Sequence, residues 1–185
     1  MGVASEPPDV TLLDACAVIN LYATRRMDAI LAAVPTAVGV VELVQSEAHY
    51  VLRGGPGEDA REREPVDLAS SIAAGRLRIV APTESELAAF VDLTLSLDDG
   101  EAMTAAVAIA RGWVVETDDR KAERVLSNRV RTRSTLDLVK AWSDEANIDA
   151  TELWVVLTDL RERGSYLPRR VHPLREWWEA GLGGG

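Results

Sequence analysis

The chain alternates between short apolar runs and longer stretches with helical spacing. Residues 10–13 form an apolar run that ends at Asp14, which predicts a buried strand. Residues 15–31 then carry apolar positions at helical intervals. Residues 36–41 are Val-rich after Pro35 and predict a second strand, with a helix from there to about position 52. Residues 53–65 hold three Gly, two Pro and seven charges and predict a surface loop. A helix over 66–74 should stop at Gly75, and 77–80 predict a third strand.

The second half is punctuated more clearly. Thr83 and Glu86 have the spacing of a capping box. A helix over 100–111 should close at Gly112, with a strand over 113–117 after it. Helices are expected over 120–126 and 135–142, with a half-exposed strand between them where Arg129, Arg131 and Arg133 alternate. Asp149 and Glu152 mark the start of a last long helix, and a short one is expected near Trp177 and Trp178 before a disordered GLGGG tail. Strands alternating with helices predict an α/β fold with a mainly parallel central sheet. The expected division is a domain over 1–147 and a helical extension over 148–185 packed on it.

Composition narrows the chemistry. A chain of 185 residues buries about 70% of its unfolded surface as one domain. A net charge of -10 argues against a basic coat protein for nucleic acid. It leaves room for a nuclease whose divalent ions screen the phosphates. One Cys and two His are too few for a disulfide or an ordinary structural zinc site. The start MGVASEPPDV has no secretory pattern, and no apolar run is long enough to span a membrane. A cytoplasmic protein is expected.

The acids carry the functional signal. In parallel sheets, functional groups gather beyond the carboxyl ends of the strands. Asp14 follows the first predicted strand, and Asp118 and Asp119 follow the strand WVVET. Glu101 lies in the first turn of the helix that feeds that strand, so helix and strand make a hairpin with acids at its open end. A further acid is Glu42 or Glu47. Five positions apart, they point about 140° from each other on a helix and cannot both face one site. Two carboxylates at 4 Å repel by about 4 kcal/mol at an effective dielectric of 20. Such a cluster therefore calls for protons or a hard cation, and all-oxygen ligands suit Mg²⁺ or Mn²⁺.

The segment LLDACAVINLYA resembles the first motif of the PIN-domain ribonucleases, notably the VapC-like toxins of prokaryotic toxin–antitoxin pairs. DDGEAMTAAVAIARG resembles their third motif and VVETDDRKA their fourth, and STLDLVKAW resembles the end of the fold. The resemblance implies a three-layer α/β/α sandwich and a metal-dependent endoribonuclease acting through metal-activated water. It places metal-binding acids at Asp14, Glu101, Asp118 and Asp119, with Asn20 and Thr117 supporting them. The likeness of SEAHYVL to the family's early helix adds Glu47 to the catalytic set, with Glu42 as its alternative. It further implies an RNA substrate, an antitoxin partner and a homodimer. The loop over 53–65 and the Trp-rich tail depart from the compact toxin pattern. A degenerate PIN domain that binds protein or RNA without cleaving is the competing expectation. Phosphatase or phosphoacceptor chemistry fits less well, because Cys16 stands where a second acid is needed after the first strand.

Overall fold

The computed structural model describes residues 10–48, 50–53 and 62–183. In chain order the elements are β1 (Val10–Leu13), α1 (Ala15–Ala23), α2 (Met27–Ala32), β2 (Ala37–Val41), α3 (Glu42–Glu47), β3 (Tyr50–Arg53), β4 (Glu62–Pro65), α4 (Ala69–Ala73) and β5 (Arg78–Val80). They continue as α5 (Glu84–Leu93), α6 (Asp99–Arg111), β6 (Val114–Glu116), α7 (Arg120–Leu126), β7 (Thr132–Arg133), α8 (Thr135–Glu145), α9 (Ala150–Arg163) and α10 (Arg175–Gly183).

The main sheet has the order β5-β2-β1-β6-β7, and every neighbouring pair is parallel. Strands covered on both faces read as unbroken apolar runs rather than alternating ones. Val10, Leu12, Leu13, Val40 and Val41 are accordingly fully enclosed. The chain steps outward from β1 to β2 to β5, then returns across the sheet to β6 and β7. Right-handed crossovers in opposite directions put their helices on opposite faces. Hence α5, α6 and α7 pack together on one face, with α6 against β1, β2 and β6. On the other face α1 packs with α2 and α8. The reversal leaves a crevice beyond the carboxyl ends of β1 and β6, where ligands bind in sheets of this kind.

Several boundaries differ from the sequence reading. The helix expected over 15–31 is two helices. The Thr24 hydroxyl takes the Leu21 carbonyl at 2.6 Å, and Arg25 adopts φ 57°, so the first helix ends there. Both halves bury the same face (Val18 and Leu21, then Ile30 and Leu31), which is why the apolar spacing runs on through the break. The helix expected to reach position 52 stops at Glu47. Tyr50–Arg53 then pairs antiparallel with Glu62–Pro65, so both ends of the expected loop over 53–65 are strands, and its middle lies outside the described residues. The helix expected over 66–74 shortens to α4. Gly181–Gly183, expected to be disordered, belong to α10, where Gly181 sits against Leu157 of α9. The strand expected through Arg129 and Arg131 is reduced to Thr132–Arg133.

Beyond position 148, α9 packs on α1 and β3, and α10 packs on α9. Arg163 fixes this arrangement. It is 4% exposed, and its guanidinium donates to the Ala23 carbonyl at 3.0 Å and to Glu64 at 3.2 Å. Trp142 and Trp178 are buried in the same core. Among the described residues, no helix is long and apolar enough to cross a membrane.

Candidate functional site

The sheet itself brings the first two acids together. The backbone N–H of Asp14 donates to the Glu116 carbonyl at 3.1 Å, continuing the β1–β6 pairing one step past the strand. Asp14 thereby stands beside the end of β6, which delivers Thr117, Asp118 and Asp119. Asp14 is also the N-cap of α1, accepting from the Ala17 N–H at 2.7 Å through Oδ1. The Cys16 thiol donates to the same oxygen at 2.9 Å. Its sulfur accepts the Asp118 N–H at 3.3 Å, so one side chain links the two acids.

Asp14 is only 2% exposed, and its Oδ2 is buried without a hydrogen-bond partner. Burial pushes its carboxyl up to about 7; the Cys16 bond, the nearby Thr117 hydroxyl and the Ala17 bond pull the other way, and Asp118 adds repulsion. Asp118 is held more fully. Its Oδ2 accepts from Asn20 Nδ2 at 2.9 Å and Thr135 Oγ1 at 2.5 Å, and its Oδ1 accepts from the Thr135 N–H at 3.2 Å. Burial still raises its pKa above the ordinary carboxylate range.

A second group lies at the start of α6. Glu101 closes a capping box with Asp98, its Oε2 accepting the Asp98 N–H at 3.3 Å. Burial and then repulsion from Asp119 raise its pKa. Asp119 caps α7 through bonds from Lys121 N and Ala122 N at 2.6 and 2.9 Å. Glu47 reaches the same helix end, where its Oε1 accepts the Gly100 N–H at 3.0 Å. A side chain at position 100 would collide with this carboxylate, so glycine is what admits it. Glu42, the alternative, is exposed at the first position of α3.

The structure thus pairs Asp14 with Asp118, and Glu101 with Asp119. Thr117 lies between the pairs, its Oγ1 accepting the Asp119 N–H at 3.1 Å and its hydroxyl near Asp14. Among the described residues, no three Asp, Glu, His or Cys side chains converge as a ready-made metal-ligand group. Mg²⁺ commonly uses one or two carboxylates and keeps several waters. The unpartnered buried oxygen of Asp14, with Asp118 beside it, fits such an ion chemically.

Several neighbours were not singled out by the sequence. Cys16, noted in the sequence only as standing where a phosphoacceptor site would need an acid, bridges the two acids. Thr135 supplies two of the three hydrogen bonds to Asp118, and the only sequence signal for it is its place at the start of a predicted helix. Tyr166 and His172 line a cleft of about 240 Å³ with Asn20 and Asp118. Glu116 is fully buried and raised to about 8, because burial outweighs the Arg133 guanidinium at 2.5 Å. Arg133, a partly exposed residue of β7 as expected, also donates to Thr11 at 3.1 Å and so ties the edge strand to β1. His49 lies outside the described residues.

Cations surround the acids unevenly. Arg25, Arg26, Arg111, Lys140, Arg163, Arg169 and Arg175 all meet carboxylates. Arg120, Lys121 and Arg124 on α7, with Arg129, Arg131 and Arg170, are exposed and form no salt bridge among the described residues. Of these, Arg120 and Lys121 open α7 directly after Asp119, at the crevice end of that helix. Comparison with protein-family models, with curated proteins and with solved structures gives no match, so the site rests on its own geometry.

Proposed function

We propose that the protein is a metal-dependent endoribonuclease with a PIN-like three-layer fold, the toxin of a toxin–antitoxin pair, acting in the cytoplasm as a homodimer. The observation that carries the reading is the buried, unpartnered oxygen of Asp14 beside Asp118 at the crevice between β1 and β6. The all-parallel sheet and its strand order support the PIN-like assignment. Asp14, Glu101, Asp118 and Asp119 would hold Mg²⁺ or Mn²⁺, with Glu47 contributing from α3. Such an ion supplies an activated water and charge stabilisation for phosphodiester hydrolysis. The chain's own share is orientation. Asn20 and Thr135 fix Asp118, Cys16 fixes Asp14 relative to it, and Thr117 sets Asp119. The unpaired cations of α7 would bind phosphates flanking the cut.

The test is cleavage of single-stranded RNA with Mg²⁺ or Mn²⁺, before and after chelation. Asp14→Asn keeps a good N-cap and removes the charge. Since outer-shell partners of a metal alone cost 10–100-fold, loss of a ligand is expected to cost at least about 100-fold in rate. Equal rates in both proteins would sink the assignment. A second reading, a binding module without catalysis, is favoured by the number of internal donors on Asp118. It predicts RNA or protein binding indifferent to chelation.

A further inference from the structure

The β3–β4 ribbon has two unlike faces, because successive residues of a strand point to opposite sides. Val51 pairs with Glu64 on one of them. That face is the inner one: Val51 is 1% exposed, and Glu64 meets the buried Arg163 guanidinium at 3.2 Å. Tyr50 and Leu52 lie on the other face, with Pro65 and Arg63 as their partners across the ribbon. Core packing explains the inner face and leaves the outer one unexplained. Tyr50 is 37% exposed, and Arg63 is exposed beside it. The Arg63 guanidinium carbon stands 4.2 Å from the centre of the Tyr50 ring. The outer face thus presents an aromatic ring, an aliphatic side chain and a cation together.

This face adjoins the acids. Tyr50 and Leu52 line a cleft of about 260 Å³ with Ile19, Glu47 and the turn at Gly164 and Ser165. The same turn lines the 240 Å³ cleft that holds Asn20 and Asp118. The two clefts therefore abut, and a ligand leaving Asp118 across Ser165 arrives at Tyr50. A nucleobase offers a flat π-face and its phosphate a negative charge, and a ring stacked with a guanidinium suits both. Such a contact favours single strands, whose bases are able to splay out. A protein partner fits less well, because one ring and one leucine fall far short of the area that a stable protein interface buries.

We propose that Tyr50, with Arg63 stacked on its ring, is a platform for a base of single-stranded RNA flanking the cut. This inference rests on the nuclease reading, which makes the neighbouring crevice the place of cleavage. Arg63 is a positioning residue that holds the ring and sets a positive charge beside it. Because the contact of Tyr50 is to a base, its contribution is insensitive to salt, unlike that of the α7 cations.

The experiment is a fluorescence-anisotropy titration of the full chain with a short labelled single-stranded RNA in EDTA, so that binding is read without cleavage. Tyr50→Leu is expected to bind roughly 5- to 150-fold more weakly than wild type, the worth of one base–aromatic stack, with the salt dependence unchanged. Tyr50→Phe keeps the ring and should bind as wild type does. On a strand of the same length with every base removed, wild type and Tyr50→Leu should bind equally. Wild-type affinity in Tyr50→Leu, or a deficit that persists on the abasic strand, overturns the platform and leaves the nuclease reading standing. Should Tyr50→Leu fail to fold, wild type alone decides: equal affinity for the RNA and its abasic counterpart overturns the platform. If wild type binds neither strand, in EDTA or with Ca²⁺, the nuclease reading falls and the platform with it.

Discussion

Asp14 serves two roles that oppose each other electrically. As an N-cap it is favoured by charge at the start of α1. As a buried group beside Asp118 it is disfavoured by charge, and its pKa of about 7 shows which effect wins. The consequence for stability has a definite sign. The folded chain holds a proton on Asp14 that the unfolded chain releases near pH 4, so stability falls as pH rises from about 4 to about 7 and then levels off. Asp14→Asn should flatten that slope and raise the melting temperature of the metal-free protein at pH 8. It should also remove the stabilisation by Mn²⁺, which for a site filled at 100 times its Kd is about 2.7 kcal/mol. A mutant that melts well below wild type at pH 8 would mean that the charge on Asp14 stabilises the metal-free fold, against the raised pKa. At this scale the acids were legible because strand ends and helix starts announce themselves locally. Their surroundings were not. Cys16 and Asp118 are 102 positions apart, and Tyr166, which lines the Asp118 cleft, comes from a segment with no periodic signal.

The helices with side-chain caps were the most readable elements. Thr83–Glu86 closes the capping box its spacing predicts, and α6 runs into Gly112 at φ 67° as a terminating glycine. At Asp149 the cap accepts the Glu152 N–H at 2.8 Å. Less readable were the break between α1 and α2, across which both helices bury the same apolar face, and the β3–β4 ribbon, which depends on a partner distant in sequence. The ribbon is anchored by Arg163 from α9 and by Arg63 over the Tyr50 ring. Helix α5 is tied to α6 by Arg111, which bonds Glu86 at 2.6 and 2.7 Å and the Ala81 carbonyl at 3.0 Å. Glu86 is 3% exposed, and Arg111 holds its carboxyl below the usual range. That stability is present above the ordinary carboxylate pKa and is lost as pH falls through the lowered folded value. Arg111→Ala should therefore cost roughly 1–3 kcal/mol at pH 7, by leaving Glu86 buried and unpaired. Denaturant melts at pH 7 and pH 3 check this: the gap between the proteins should shrink at the lower pH. A gap independent of pH would trace the loss to packing of Arg111 over Trp113.

Across the whole molecule, an acidic protein carries exposed cations without salt bridges on α7, starting next to Asp119. If these bind phosphates, affinity for RNA falls steeply with salt. Replacing Arg120 and Arg124 by Glu should weaken binding uniformly across sequences and flatten the salt dependence by roughly one unit of log–log slope per lost phosphate contact. Filter-binding or fluorescence titrations at several salt concentrations measure both, and an unchanged slope would remove α7 from the RNA path. Parallel topology was legible from the alternation of elements, whereas the order of the strands was not, because it is decided by which buried faces fit. That order governs when the crevice comes into being. The middle strand, β1, pairs Thr11 with Val114, so it is synthesised early and completed about a hundred residues later. A growing chain still attached to its ribosome lacks Asp118 and Asp119 until about a hundred residues have followed Asp14. The crevice thus cannot form when β1 is made, however early Asp14 appears; it waits for β6.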